Sequence, residues 1–297
     1  MTDVLVLGLG YTAAPFAAKL ASAGCNVAGT TRSPSKAMQI AGTGVSPLVW
    51  GAGGNLPRDR IEEADLLVVS TPPGDDGCPA LHALQGFGPR PFIRAPQILY
   101  LSSSGVYGDH GGGWVDEEME CRPGTERGKA RLAAERTWAD FAEENGATLT
   151  LCRLAGIYGP GRSAVDSLSG DTTGARAGLT RRLEKPGHVF NRIHRDDIVR
   201  GLYALAEAEN PPAIVNFADD EPSPPADPIT FAAELLGIEP PPLQRFEDIE
   251  EELSPMARSF YAESKRLGNG RLRELVGTLT YPTYREGLRA IAEMRRR

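Results

Sequence analysis

The sequence predicts an α/β fold: a doubly wound parallel sheet, with a smaller, mainly helical C-terminal part that binds substrate. Two observations predict the sheet. Short apolar runs alternate with helical patterns through the first half of the chain, and a glycine-rich turn joins the first run to the first helix. A proline-rich connector at 222–228, followed by helical patterns, predicts the helical part. We therefore expect residues 1–160 with 187–220 to form the sheet-containing domain, and 161–186 with 221–297 to form the smaller part.

The glycine-rich turn follows the apolar run Val4–Leu7 and has the spacing G-x-G-x-x-A. Its first glycine lets the chain turn tightly out of the strand, its second lets backbone N–H groups approach a pyrophosphate, and its alanine lets helix and strand pack closely. The N-terminus of the next helix then faces the anion. A strand before the turn and a helix after it predict a Rossmann-type dinucleotide site. The predicted pyrophosphate contacts are Gly8, Gly10, Tyr11, Thr12 and Ala13.

The residues after the second predicted strand favour NADP over NAD as the cofactor. An NAD site usually carries Asp or Glu about 20 residues after the turn, where the carboxylate accepts hydrogen bonds from the adenosine ribose. Here that region reads TTRS and has no carboxylate. Arg32 can form a bidentate, charge-assisted pair with a 2′-phosphate. The contacts predicted beside it are Thr31, Ser33 and Lys36, and the alternative is an exposed arginine in the turn before Pro34.

Two later strands end in polar residues. Ligands of a doubly wound sheet lie at the carboxyl ends of its strands, so we expect Ser70, Thr71 and Pro72 to border the dinucleotide. Ser102–Ser104 follow the next strand and form a polar platform where substrate would lie, with Ser104 as a predicted substrate contact. The alternatives are a strand exit with proline turns and a solvated serine turn.

Charge and composition argue against several classes of protein. The net charge of −7 disfavours general nucleic-acid binding, which needs a basic face to neutralise phosphates. No run approaches the ~18 apolar residues of a membrane span and no basic leader precedes an apolar core, so we expect a cytoplasmic protein. The four cysteines lack metal-ligand spacing, which predicts reduced thiols and no metal site. Residues 151–200 hold nine Lys or Arg against five acids, which suits an anionic substrate or a solvated basic face.

Five segments carry a resemblance to a known family, in the order GLGYTA, YLSSSGVYGD, RLAGIYGPGR, NRIHRDDI and VNFADDEP. The chain resembles an extended short-chain dehydrogenase/reductase of the NAD(P)-dependent epimerase/dehydratase group, and more closely one of its atypical branches. The closing segment NGRLRELVGTLTYPTYREGL is similar to the end of those proteins. The resemblance implies an NAD(P)-dependent oxidoreductase or epimerase, a small anionic or sugar-nucleotide-like substrate, and a homodimer built through sheet-flanking helices.

That family uses a Ser or Thr, a Tyr and a Lys, and the resemblance transfers only part of this set. The family's hydroxyl falls on Ser103, which would orient the substrate oxygen. The Y-x-x-x-K pair is missing, because the stretch RGKARLAAE puts Arg127 at the tyrosine and Arg131 at the lysine. Arg127 stays protonated near neutral pH and cannot be a general acid or base, whereas Arg131 can still hydrogen-bond the nicotinamide ribose. If the alignment is shifted so that Lys129 takes the lysine position, Thr125 takes the tyrosine position. The match to the family's Leu-Ala-Ala-Glu is then lost.

A different group must then transfer the proton. The candidates nearby in sequence are Tyr107, Asp109, His110 and Glu126, and Tyr107 is the phenol among them. The alternative for Tyr107 is a packed side chain, and for the other three a solvent-facing one.

The second half of the chain contains the remaining predicted contacts. The resemblance implies that Ile157 passes near the nicotinamide. The segment 162–178 is rich in Gly, Ser and Thr and predicts a mobile lid or a plain linker. The basic residues predicted to clamp an anionic substrate are Arg162, Arg181, Arg182, Lys185 and Arg192. We expect structural roles for His194 and Asp197, because they precede a helix predicted over 198–208 that Asp197 can cap.

Two hypotheses for the function follow. The first is an NADP-dependent oxidoreductase or epimerase that acts on a small anionic substrate. The second is a non-catalytic NADP(H)-binding protein that reports cofactor state to a partner, which the missing tyrosine supports. A structural domain that binds no cofactor is hard to reconcile with the opening strand–turn–helix–strand pattern.

Overall fold

The computed structural model describes residues 2–51, 56–170 and 180–296. The chain divides into two compact units. The first unit comprises Met1–Ser103, Glu126–Arg153 and Val199–Val215, and the second comprises Ser104–Thr125, Leu154–Ile198 and Asn216–Arg297. The sequence-based division differs from this one, since it assigns 104–125, 154–160 and 187–198 to the sheet-containing domain.

The strands, in chain order, are β1 (Asp3–Leu7), β2 (Asn26–Thr31), β3 (Ser46–Val49), β4 (Leu66–Val69), β5 (Gln97–Ser103), β6 (Trp114–Val115), β7 (Thr148–Leu154), β8 (Gly156–Tyr158), β9 (Arg182–Glu184), β10 (Arg192–His194), β11 (Ile214–Phe217), β12 (Leu243–Arg245) and β13 (Arg266–Leu267).

The helices are α1 (Ala13–Ser22), α2 (Pro34–Ala41), α3 (Arg58–Glu62), α4 (Pro79–Gln85), α5 (Glu126–Glu144), α6 (Ala164–Leu168), α7 (Arg195–Glu207), α8 (Asp227–Leu236), α9 (Phe246–Ile249), α10 (Pro255–Phe260), α11 (Gly270–Val276) and α12 (Tyr284–Arg296). Short 3-10 turns cover Ser104–Tyr107 and Glu250–Glu252.

The first unit is built on a seven-stranded sheet in the order β11-β7-β5-β4-β1-β2-β3, with the last residues of β7 and β11 counted in the second unit. The pairs β1-β2, β1-β4, β2-β3 and β4-β5 are parallel. Every residue of β4 is buried, as expected for a strand with helices over both faces of its sheet. The sheet confirms the predicted α/β, doubly wound, Rossmann-type fold.

Helix α5 packs on the sheet through aromatic side chains. Trp138 is fully buried, and its ring lies 5.9 Å from that of Tyr100 on β5 and 5.6 Å from that of Phe141. These large rings bury much apolar surface, so they fix α5 along the strand that ends at Ser103.

The second unit is mainly helical. Helices α6, α8 and α12 share a core that includes Val165, Ala232, Leu288 and Ile291. Short parallel strand pairs, β6-β13, β8-β10 and β9-β12, connect its other segments. These helices form the predicted helical part, although the unit that contains them is as large as the first unit and also contains these strands.

Two local expectations are wrong. The segment predicted as a loop from Arg162 contains helix α6, because Ser163 and Asp166 form a capping box and Val165 inserts into the core. Residues 171–179 of the predicted lid lie outside the described residues. Helix α7 begins at Arg195 rather than at Ile198, so Asp197 lies in its first turn and does not cap it.

The described ranges contain no helix that is both long enough and apolar enough to cross a membrane.

Candidate functional site

The glycine turn of the first unit requires glycine at its first position. Gly8 has φ 98°, a conformation that favours glycine. A Cβ at this position would also lie 3.0 Å from Thr71 Cγ2 and 3.2 Å from Thr71 N. The Gly8 N–H donates to Thr30 Oγ1 at 2.7 Å, and the next N–H, of Leu9, donates to the Thr30 carbonyl at 2.8 Å. The turn is therefore held between the ends of β2 and β4.

The second glycine leaves an open space beside the start of α1. A Cβ at Gly10 would meet only Ser70 Oγ, at 4.0 Å. Thr71 Oγ1, at the end of β4, is buried and has no hydrogen-bond partner among the described residues. A buried hydroxyl without a partner is unfavourable unless a ligand or water completes it. Space at Gly10, a helix start at Ala13 and this hydroxyl together fit a pyrophosphate.

Arg32 lies where a 2′-phosphate contact is expected. It is exposed, directly follows β2, and forms no ion pair with a carboxylate in the part of the chain that the structure describes. Ser33 accepts a hydrogen bond from the Lys36 N–H at 3.3 Å and so caps α2. The Lys36 ammonium donates to the Leu9 carbonyl at 2.5 Å, which puts a positive charge at the glycine turn rather than beside Arg32.

Helix α5 presents Arg131 to the carboxyl end of β5. One guanidinium nitrogen of Arg131 donates to Tyr100 Oη and to the Leu101 carbonyl, each at 3.1 Å. Burial raises the pKa of Tyr100 to about 12, so this phenol stays neutral near physiological pH. Arg131 thus occupies a fixed place at the edge of the sheet where cofactors of this fold bind.

A buried ion pair holds the same helix. Glu135 and Arg153 are both buried, and the carboxylate accepts from Arg153 Nη2 at 2.8 Å and from Nε at 3.2 Å. The Ser102 hydroxyl also donates to Glu135. The sequence analysis missed this network. Its signal was a charged residue at a core position: Arg153 lies within an apolar strand, and Glu135 lies on the buried face of α5.

The predicted catalytic residues occupy different environments. Ser103 is half-buried at the end of β5, and Ser104 begins a 3-10 turn. Tyr107 is fully buried, and its hydroxyl donates to Asn216 Oδ1 at 2.7 Å. This contact argues for the packing role of Tyr107. Its catalytic role stays a prediction.

The other proton-transfer candidates have structural partners. Asp109 accepts from the Ser264 N–H at 2.7 Å, and this hydrogen bond lowers the pKa of the Asp109 carboxyl, so it is ionised at neutral pH. His110 Nε2 lies 3.1 Å from the Tyr107 carbonyl. Glu126 forms an exposed pair with Lys129 at 2.7 Å.

The predicted anion clamp of the second unit is largely engaged elsewhere. Arg181 pairs with Glu252 at 2.9 Å. Arg182 donates to the Pro241 carbonyl and to Thr230, and Lys185 donates to the Tyr261 carbonyl at 2.6 Å. Arg162 is half-buried and its N–H closes a turn onto the Gly159 carbonyl at 2.9 Å.

Arg192 differs from these basic residues. One of its nitrogens donates to the Phe190 carbonyl at 3.2 Å and to Ser223 Oγ at 2.8 Å. It forms no ion pair with a carboxylate among the residues that the structure describes. Burial of the guanidinium lowers its pKa. Arg192 therefore remains the predicted anion contact that the geometry favours.

His194 and Asp197 have structural contacts. His194 is fully buried against the Tyr281 ring, 4.0 Å between centroids, and burial lowers its pKa. The Asp197 carboxylate accepts from the N–H groups of Thr280 and Tyr281 at 2.7 and 2.9 Å. Ile157 is half-buried on β8, opposite Ile193 of β10. Within the described residues, no group of three His, Cys, Asp or Glu is placed to hold a metal ion.

Comparison with known proteins agrees with the fold. The sequence model of the NAD dependent epimerase/dehydratase family matches residues 80–218. Protein YeeZ of Escherichia coli (strain K12) is 29% identical over 256 residues, which cover 81% of this chain and 86% of that protein. A conserved, functionally unknown protein from Silicibacter pomeroyi is 39% identical, and the match covers 100% of both chains with a TM-score of 0.85. UDP-glucuronic acid 4-epimerase from Bacillus cereus, in complex with NAD, shares the fold at 15% identity and a TM-score of 0.71, covering 98% of this chain and 95% of that one.

Proposed function

We propose that the chain, whose residues 80–218 match the sequence model of the NAD dependent epimerase/dehydratase family, is an NADP-dependent oxidoreductase or epimerase that acts on a small anionic substrate. The nicotinamide ring, when bound, accepts or returns a hydride. The protein binds and orients both molecules.

Two observations carry the proposal: the open space at Gly10, which faces Ser70, and the buried Thr71 hydroxyl, which has no hydrogen-bond partner among the described residues. In this proposal a pyrophosphate occupies the space and accepts hydrogen bonds from the backbone N–H groups at the start of α1 and from the Thr71 hydroxyl. Arg131 supports the ribose contact, because its bonds to Tyr100 and Leu101 use one guanidinium nitrogen and leave the other N–H groups for hydroxyls.

The preference for NADP rests on Arg32. Its exposed guanidinium has no carboxylate partner in the described ranges and follows β2, where the 2′-phosphate of NADP would lie. The Lys36 ammonium, which donates to the Leu9 carbonyl, adds a positive charge at the glycine turn. The B. cereus epimerase of the same fold is described in complex with NAD. Our proposal therefore gives this chain a different cofactor preference from that protein.

Substrate chemistry in this proposal involves Ser103 and Arg192. Ser103 orients the substrate oxygen by hydrogen bonding, and Arg192 supplies a cation for an anionic group. Two proteins of the same fold, a UDP-glucuronic acid 4-epimerase and MoeE5 in complex with UDP-glucuronic acid and NAD, are described with a sugar nucleotide, and we propose a molecule of this kind for the chain. In this proposal the second unit binds the small anionic substrate through Arg192.

The test is turnover with NADP+ and NADPH against a panel of nucleotide sugars and sugar acids, with hydride exchange followed at the nicotinamide absorbance. Activity that falls with Ser103→Ala and with Arg192→Met supports the proposed enzyme. No hydride exchange and no epimerisation across the panel, with cofactor bound, would remove the enzymatic part of the proposal.

The second candidate is a non-catalytic NADP(H)-binding protein that reports cofactor state. The observation in its favour is the missing Y-x-x-x-K pair, with Arg127 at the tyrosine position and Tyr107 buried. Tight cofactor binding, unchanged by Ser103→Ala and without turnover, is the result expected of such a protein.

A further inference from the structure

The second unit contains an arginine, Arg192, that forms no ion pair with a carboxylate among the described residues. The Arg192 guanidinium carbon lies 5.9 Å from the ring centroid of Phe190 and 5.9 Å from that of Tyr284. Only one of its nitrogens has partners among the described residues, the Phe190 carbonyl and Ser223 Oγ. A cation that is withdrawn from water is strongly unfavourable unless an anion pairs with it. Arg192 is therefore prepared for an anion that the described part of the chain does not supply.

The Asp219 carboxyl also has one oxygen without a hydrogen-bond partner among the described residues. Asp219 is 2% exposed, and its N–H donates to the Arg192 carbonyl at 2.6 Å. One carboxyl oxygen accepts from the Glu221 N–H at 3.3 Å, and the other, Oδ2, is buried without a hydrogen-bond partner in the described residues. No ion pair joins Asp219 to Arg192, and neither residue forms one with another of the described residues.

The charge state of Asp219 follows from its surroundings. Burial raises the pKa of this carboxyl well above its ordinary value, and the nearby Arg192 charge only partly opposes that effect. The other groups that face it are Asp220 and Glu221, whose charges also raise the pKa, and the Tyr158 phenol. Such a carboxyl keeps its proton to higher pH than an exposed one, and in its acid form it can donate an O–H.

We propose that Arg192 and Asp219 form a proton-linked oxyanion site, in which the guanidinium supplies the positive charge and the acid form of Asp219 donates a hydrogen bond to the same anion. The proposal rests on the proposed function for the identity of the anion, as a group of the substrate. A sugar carboxylate and a phosphoryl group both carry negatively charged oxygen atoms. Such oxygens pair with the Arg192 guanidinium and accept a hydrogen bond from the acid form of Asp219.

Binding at this site depends on pH. An ionised Asp219 would repel the anion and could no longer donate, so the affinity falls as pH rises through the pKa of Asp219, by about tenfold per pH unit. Asparagine at this position keeps the shape and an N–H donor and does not titrate, so Asp219→Asn removes the pH dependence and retains binding.

The experiment is calorimetric titration of the whole protein with D-glucuronate and, separately, with sulfate, between about pH 5 and 9. Both probes remain fully ionised over that range, because their acid pKa values lie below about 4. The two arms separate a carboxylate site from a phosphoryl-type site. The variants are Asp219→Asn, Arg192→Met and, as the matched control, Asp220→Asn, whose exposed carboxylate pairs with Arg273 at 2.6 Å. Thermal unfolding of each variant checks that it folds.

The expected result is binding of at least one probe that weakens about tenfold per pH unit on the alkaline side in the wild type. Asp220→Asn keeps this slope, displaced towards lower pH, because the Asp220 charge raises the pKa of Asp219. Asp219→Asn shows a flat profile, and Arg192→Met shows no binding. The infrared band of a protonated carboxylic acid, present in the wild type at neutral pH, disappears in Asp219→Asn.

Three results would overturn the site: binding of neither probe, binding that survives Arg192→Met, or the same pH slope with and without Asp219. None of these needs a dinucleotide. NADPH titration of the same samples is a separate readout, so a failure of cofactor binding would count against the proposed function and not against the oxyanion site.

Discussion

Replacing Glu135 with glutamine should destabilise the first unit strongly. The carboxylate receives three donors, two from Arg153 and one from Ser102, with side-chain exposures of 3% for Glu135 and 5% for Arg153. Glutamine keeps one acceptor oxygen, so at least one donor loses its partner, and the buried Arg153 guanidinium loses the negative charge of Glu135. Breaking a buried pair in this way costs about 3 to 5 kcal/mol, and we expect the free energy of unfolding of Glu135→Gln to fall by that amount.

The assay is urea unfolding of the purified protein, with a matched pair on the same helix as control. Glu126 and Lys129 also pair on α5, but their side chains are 88% and 55% exposed. Glu126→Gln should therefore lower the free energy of unfolding by less than about 0.5 kcal/mol. The double variant Glu135→Leu with Arg153→Leu should recover most of the loss, because no charge then remains buried.

A loss below about 1 kcal/mol for Glu135→Gln would refute the reasoning, because that is the value of an exposed pair. Strictly additive effects in the double variant would also refute it. The same change should weaken NADPH binding, since Arg131 lies one helical turn before Glu135 on α5.

Three further predictions concern single side chains. Arg32→Ala should weaken NADPH binding by about 1.5 to 3 kcal/mol and NADH binding much less, as measured by titration calorimetry, and equal losses would remove the 2′-phosphate contact. Tyr107→Phe should lower the free energy of unfolding by about 1 kcal/mol through the lost bond to Asn216 and leave turnover unchanged. A large loss of turnover with normal stability would instead make Tyr107 catalytic. Asp109 has a lowered pKa, so its stabilising effect is present above its unfolded pKa of about 3.9 and is lost as pH falls through the folded value. Acid unfolding curves of wild type and Asp109→Asn should therefore converge at low pH, and a constant difference across pH would contradict this.

Much of the fold is encoded in local patterns. The apolar runs 4–7, 26–29, 66–70 and 97–101 of the sequence predict strands that agree with β1, β2, β4 and β5 to within two residues, because strands covered on both faces must be apolar throughout. The glycine spacing predicted the turn at Gly8, whose positive φ and close approach to Thr71 leave room for no other residue. Helix α6 was missed because the signal of the Ser163–Asp166 capping box is short beside the many Gly, Ser and Thr residues around it.

The polar interior was harder to predict than the strands. Tyr107 and Asn216 are 109 residues apart, and Glu135 and Arg153 are 18 apart, so no local pattern reports that they pair. Asp219 lies in an acidic stretch that reads as a solvated turn, and only the folded chain buries it beside Arg192. Such pairings depend on tertiary contacts. Sequence periodicity can show only that a charged residue occupies a buried position.

The central claim, that the glycine turn binds a dinucleotide, is tested most directly by calorimetric titration with NADPH of the wild type and of Gly10→Ala. The Gly10 backbone tolerates a side chain and the space around its Cβ is open, so the variant should fold normally while its methyl group occupies the place of the pyrophosphate. Gly42→Ala, at the end of α2, is the matched control, with a Cβ 3.8 Å from the nearest atom. We predict NADPH binding to the wild type and to Gly42→Ala, and binding at least about tenfold weaker to Gly10→Ala. Equal affinity in all three proteins, or no binding to the wild type, would contradict the account.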